Sequence, residues 1–145
     1  MRRPRLILRL LPIAAALLLT TSCADDTSSL TSPSSTTPSE ETFTGTLTVN
    51  GAFTHAPITV LAPNTQITAR LSSLSPDPAQ LVGLALGSWN AAAQTCQVVL
   101  SNDSATQGTA IVGEATVSGT FCVRLYDSTG KVPTPEAYTI SVLHQ

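Results

Sequence analysis

The chain has 145 residues, of which 11% are charged and 42% hydrophobic. Four of its seven basic side chains (Arg2, Arg3, Arg5 and Arg9) fall in the first stretch. From Cys23 onward Arg70, Arg124 and Lys131 stand against all nine acids, six negative charges in excess. That balance excludes a nucleic-acid surface, which needs clustered Lys and Arg. The sparse charge excludes a salt-bridged helical bundle, and the length allows one folded domain.

Residues 1–22 read as an export signal. The arginines form a basic head, and Leu10 to Leu19 form an apolar run broken only by Pro12. About ten such residues suit a signal-peptide core, against the roughly 20 that a membrane-spanning helix needs. The run ends in Leu19-Thr20-Thr21-Ser22-Cys23, which resembles the lipobox of bacterial lipoproteins, with the leucine displaced by one position. The resemblance implies a covalent lipid on Cys23, a lipid-anchored place in the cell envelope, and an outer-membrane destination if the source is Gram-negative. Lipidation also accounts for the odd cysteine of three. A soluble secreted form cleaved after Ala24 is the alternative, because Ser22-Cys23-Ala24 also fits a small-x-small site.

Residues 23–42 form the lipidated cysteine and a Ser/Thr/Pro-rich linker. Only Ala24 and Leu30 are apolar between 24 and 42, too little surface to offset ordering entropy. Such a linker reaches about 25 Å on average.

Residues 43–145 read as an all-β domain. Phe43 to Val49 alternates apolar or small residues with threonine, the period of a half-buried strand. Asn50-Gly51 predicts a two-residue hairpin turn onto a strand near Ala52 to Leu61, where Pro57 demands an edge or a bulge. Gln66 to Leu71 alternates again. Ser75-Pro76-Asp77-Pro78 is a turn. Leu81 to Gly87 is apolar on both faces and reads as a central strand, followed by a loop from Trp89 to Gln94. Strands are expected over Thr95 to Ser101, Ile111 to Val117, Phe121 to Tyr126 and Tyr138 to Val142, with a polar turn from Asn102 to Gly108 and a loop from Asp127 to Glu136. About eight short strands and no amphipathic helix predict an antiparallel β-sandwich or jelly roll.

The order of these segments resembles the bacterial pre-peptidase C-terminal domain, a jelly-roll module appended to secreted proteases. The segments are Ile58-Thr-Val-Leu-Ala-Pro63, Ile67-Thr-Ala-Arg-Leu71, Pro76-Asp77 before Leu84-Ala-Leu-Gly87, Gly119-Thr-Phe-Cys-Val-Arg-Leu125 and Tyr138-Thr-Ile-Ser-Val142. The resemblance implies a jelly-roll fold and a non-catalytic module. No protease precedes the domain in this sequence.

Few residues invite chemistry. Cys96 and Cys122 read as a disulfide, since exported thiols oxidise and no CxxC or cysteine–histidine spacing marks a metal site. Closing the segment between them would contribute about 3 kcal/mol in the chain-entropy model. Cys122 alternates with Phe121 and Val123, so it is expected to share a face with Arg124 and Tyr126, placing the bridge on the outer face or beside a bulge. His55 and His144 are isolated, and Ser88 in Leu86-Gly87-Ser88-Trp89-Asn90 lacks the second glycine of a hydrolase elbow. Asp77, Asn102, Asp103 and Asp127 fall in expected loops and are weak calcium candidates. Trp89 and Tyr126 are the aromatic candidates for contacting a sugar or peptide. The reading that follows is a membrane-anchored, non-catalytic envelope lipoprotein without a cofactor, binding protein or glycan or serving a structural role. An accessory subunit or enzyme of the envelope is the other class, and would need carboxylates or a polar triad converging in space.

Overall fold

The computed structural model describes residues 37–145. The export signal, Cys23 and most of the linker lie outside the described residues. All regular structure described is β: β1 (Ser39–Leu47), β2 (Ala52–Val60), β3 (Thr65–Ser75), β4 (Val82–Asn90), β5 (Thr95–Ala105), β6 (Ala110–Ala115), β7 (Gly119–Tyr126) and β8 (Glu136–His144). They form two four-stranded antiparallel sheets, ordered β1-β8-β3-β6 and β2-β7-β4-β5. First pairs with last, second with seventh, third with sixth and fourth with fifth, which is the winding of a jelly roll.

Alternation along β3 and β8 builds one face of the core. Ile67, Ala69 and Leu71 of β3 and Tyr138, Ile140 and Val142 of β8 face Leu84, Leu86, Val123 and Leu125 of the other sheet, all buried. The intervening residues turn outward, as a two-residue period requires. β4 departs from the alternation, and Val82 to Gly87 are buried throughout. It lies between β7 and β5, and its outward residues Gly83, Ala85 and Gly87 are small enough for neighbours to close over them. The Tyr126 ring lies where a side chain on Gly83 would project.

Several boundaries differ from the sequence expectations. β1 begins at Ser39, because Ser39 to Thr42 pair with Ser141 to His144 of β8, so part of the expected linker is strand. Asn50-Gly51 does turn the chain, with Asn50 at φ 53° and the Gly51 amide donating to Thr48 O at 2.8 Å. It closes no hairpin, however, since β1 and β2 belong to different sheets. Asp127 fastens the turn there: its carboxylate accepts the Asn50 amide and its own amide donates to Gly51 O, holding the turn against the end of β7. The hairpin between consecutive strands is instead β4–β5. β4 continues through Trp89 to Asn90, and the turn is confined to 91–94. β5 continues through Asn102 and Asp103 to Ala105, because backbone pairing with Val82 and Leu84 outweighs the polar side chains. Pro57 sits in edge strand β2, where the register with β7 shifts between His55 and Ile58.

Cys96 and Cys122 are bonded, with Cα atoms 5.8 Å apart. The bridge does not join neighbouring or facing strands, as a simple sandwich would suggest. Cys96 is on β5 and Cys122 on β7, with β4 between them. In a flat sheet strands so placed stand about 9.6 Å apart, beyond disulfide reach. A bulge resolves the conflict. Leu86 pairs with Leu100, but Gly87 pairs with Val98, leaving Val99 as the extra residue. There β5 bends over the outer face of β4, and a Cβ on Gly87 would collide with the Gln97 carbonyl. Cys122 pairs with that same Gly87 and is fully buried although it points outward.

Candidate functional site

The two long sides of the sandwich are closed differently. On one, edge strands β1 and β2 are sealed by rings. Phe43 stacks on His55 at 4.9 Å between centroids, and Tyr138 shares a 2.9 Å hydrogen bond with His55 Nε2. Burial holds His55 below the usual histidine range and raises the Tyr138 phenol.

On the other side, a groove of about 230 Å³ lies between edge strands β5 and β6. Its floor is Gly113, with Leu86, Leu100 and Phe121 behind it and Val99 and Val117 at the mouth. Val99 is 74% exposed and Val117 66%. Glu114 is the one charged residue in the lining. The opening follows from two local causes. The bulge lifts Val99 out of the sheet, and Gly113 leaves unfilled the inward position that Ile111 and Ala115 fill on either side of it. An ideal Cβ on Gly113 would lie 3.1 Å from Leu100 Cδ1. Neither Val99, Leu100, Gly113 nor Val117 was marked by any motif. The available signal was the run Val98-Val99-Leu100, three apolar residues in a strand that otherwise alternates or is polar.

The aromatic candidates do not form one site. Tyr126 pairs with Gly83 at one end of β4, and Trp89 lies six residues along that strand, about 20 Å away. Trp89 is half-buried within β4, and its carbonyl accepts the Thr120 hydroxyl at 3.4 Å. Tyr126 donates a hydrogen bond to Asp103 Oδ1, under the Arg124 guanidinium 5.5 Å from its ring centroid. Burial and then the Asp103 carboxylate push its phenol upward.

The calcium candidates are scattered. Asn102 and Asp103 lie in β5, not in a loop. Asp77 accepts the Ala79 amide, and its own amide donates to the buried Glu136 carboxylate at 3.1 Å. Asp127 accepts the amides of Asn50, Thr129, Lys131 and Val132 at 3.0–3.2 Å. Its slight burial works to raise its pKa, but those amides outweigh it and hold the carboxyl below its ordinary value. Its oxygens therefore organise the loop after β7. Among the described residues no three His, Cys, Asp or Glu side chains gather as a metal centre requires. His144 Nε2 pairs with Glu41 at 2.9 Å and lies far from His55 along the β1–β8 ladder. Ser88, half-buried in β4, lines the groove beside Gly87.

These features define an all-β jelly-roll domain stapled by one disulfide. No family model matches the chain, and no curated protein matches it in sequence. Among solved structures it is similar to PliG of Aeromonas hydrophila, a periplasmic lysozyme inhibitor of g-type lysozyme. The identity is 12% over 73% of this chain and 86% of that one, with a TM-score of 0.51. At that identity the likeness is one of fold.

Proposed function

We propose that this chain is an extracytoplasmic lipoprotein, tethered through lipid on Cys23, whose jelly-roll domain binds a protein partner and performs no chemistry. The observation that carries the reading is how the polar groups are used. Asp127 and Glu136 are spent on backbone amides, His55 on Tyr138 and His144 on Glu41, while an apolar groove stands open to solvent. An active site needs the reverse, titratable groups aimed together into a cleft. The disulfide supports an oxidising compartment. The fold shared with a periplasmic inhibitor supports a protein partner, and a g-type lysozyme is the first partner to test.

The tether is tested by fractionation. Cys23→Ser is expected to lose lipid by intact mass and to move from membranes to the soluble fraction. A parent chain without lipid would refute the anchor and favour secretion after Ala24. Partner binding is tested by titrating the purified mature chain into a g-type lysozyme digesting cell walls. Stoichiometric inhibition, with a complex on gel filtration, is the expected result. Absence of both inhibition and complex removes that partner class, and hydrolysis of envelope substrates by the chain alone would overturn the non-catalytic reading.

A further inference from the structure

We propose that the groove between β5 and β6 receives an extended, cation-flanked apolar segment of a partner protein, which pairs with the free edge of β6 and buries an aliphatic side chain over Gly113. This rests on the protein-binding reading above and names its surface.

Of the four edge strands, β6 is the regular one that borders the groove. Between β1 and β2 the Phe43–His55–Tyr138 rings occupy the space beneath the edges, and β2 also carries Pro57 and a register shift. β5 has two register shifts against β4, and bulges turn an edge away from further pairing. β6 pairs with β3 from Ala110 to Ala115 in unbroken register, contains no proline, and turns its other edge to the groove. A strand laid there would place alternate side chains over Gly113, as in recognition by strand addition.

The size of the groove selects the occupant. At about 230 Å³ it is smaller than the roughly 300–1,000 Å³ of pockets for small organic ligands. It suits an aliphatic side chain or a pair of them, carried on a backbone whose hydrogen bonds the β6 edge supplies. Charge selects its flanks. Glu114 stands at the rim, and the chain from Cys23 carries six negative charges in excess, so lysine or arginine beside the apolar residue is favoured. The chain's own linker is a poor occupant. Residues 24–36 hold only Ala24 and Leu30 as apolar residues, and Asp25 and Asp26 as their charges.

The probe is a short synthetic peptide alternating valine and threonine between two lysines, compared with its glutamate-flanked counterpart. Both are titrated into the mature chain and followed by amide shifts. Saturable shifts centred on β6 are expected for the lysine peptide, with the glutamate peptide about tenfold weaker. Gly113→Val fills the floor, with Leu100 Cδ1 giving way to the new side chain, and should abolish binding while the far-UV spectrum stays that of the parent. Glu114→Lys, an exposed position, should reverse the charge preference. No shift with the lysine peptide at millimolar concentration overturns the proposal, as does unchanged binding to Gly113→Val. Displacement by a free fatty acid would make the groove a small-ligand site, and a doubled mass of the unliganded chain would make it a self-association surface. Either outcome overturns the proposal. A folded partner that binds parent and Gly113→Val equally would preserve the protein-binding reading and refute this surface alone.

Discussion

Removing the Cys96–Cys122 bridge tests how this domain is held together. The bond closes a sequence separation of 26 residues, which in the chain-entropy model contributes about 3.5 kcal/mol at 25 °C. A domain of this size unfolds with an entropy of about 0.23 kcal/mol/K, so the loss corresponds to about 15 °C in melting temperature. The double variant Cys96→Ala/Cys122→Ala should therefore melt about 15 °C lower with the same far-UV spectrum. The effect should also be local. The bridge pins the start of β5 over β4, so amides of 95–98 should lose hydrogen-exchange protection while the β1–β8 ladder keeps its own. Calorimetry and exchange on the parent, oxidised and reduced, and on the variant make the measurement. A double variant melting within about 3 °C of the parent, or a uniform loss of protection across both sheets, would falsify the view that the bridge compensates for a bent strand.

Two glycines on β4 should respond unequally to alanine. Gly83→Ala meets the Tyr126 ring, a side chain that can swing away at the loss of its Asp103 bond, and should cost about 1–2 kcal/mol in denaturant melts. Gly87→Ala meets the Gln97 backbone beside the bridged Cys96 and should cost about 3 kcal/mol or more; equal losses would contradict the packing described. Asp127→Ala removes an acceptor of four amides and should destabilise by about 1–2 kcal/mol at pH 7, its exposure limiting the effect. Because the folded pKa of Asp127 is depressed, its contribution is complete above the unfolded value near 3.8 and fades as pH falls through the folded one. The gap between parent and variant should thus narrow in acid, and a gap independent of pH counts against the charge. His55 also has a depressed pKa, so the unfolded chain takes up its proton first and stability falls as pH drops below about 6.5. His55→Phe keeps the stacking on Phe43 and should flatten that slope in urea titrations between about pH 6.5 and 5.

Local pattern sufficed for the strands because burial of one face imposes a two-residue period whatever the neighbours are. Gln66 to Leu71 and Tyr138 to Val142 show it plainly, and the doubly apolar run at Leu81 to Gly87 marked a strand covered on both faces. The sequence also determined the class of fold, the outward direction of Cys122 and the irregularity at Pro57. Partnership was another matter. Asn50-Gly51 specifies a turn, but whether the next strand folds back or crosses to the other sheet depends on partners far along the chain: β2 pairs with β7, and Asp127, 77 residues away, ties the turn to that strand's end. Asn102 and Asp103 look like loop residues until Val82 and Leu84 hold their backbone in β5. The groove belongs to the same category. Its floor on β6, its mouth at the Val99 bulge and its back wall at Phe121 come from three strands, and no spacing along the chain records that they meet. Periodicity is a property of one strand in water and oil; register, strand order and the gap between two edges are properties of the packed whole.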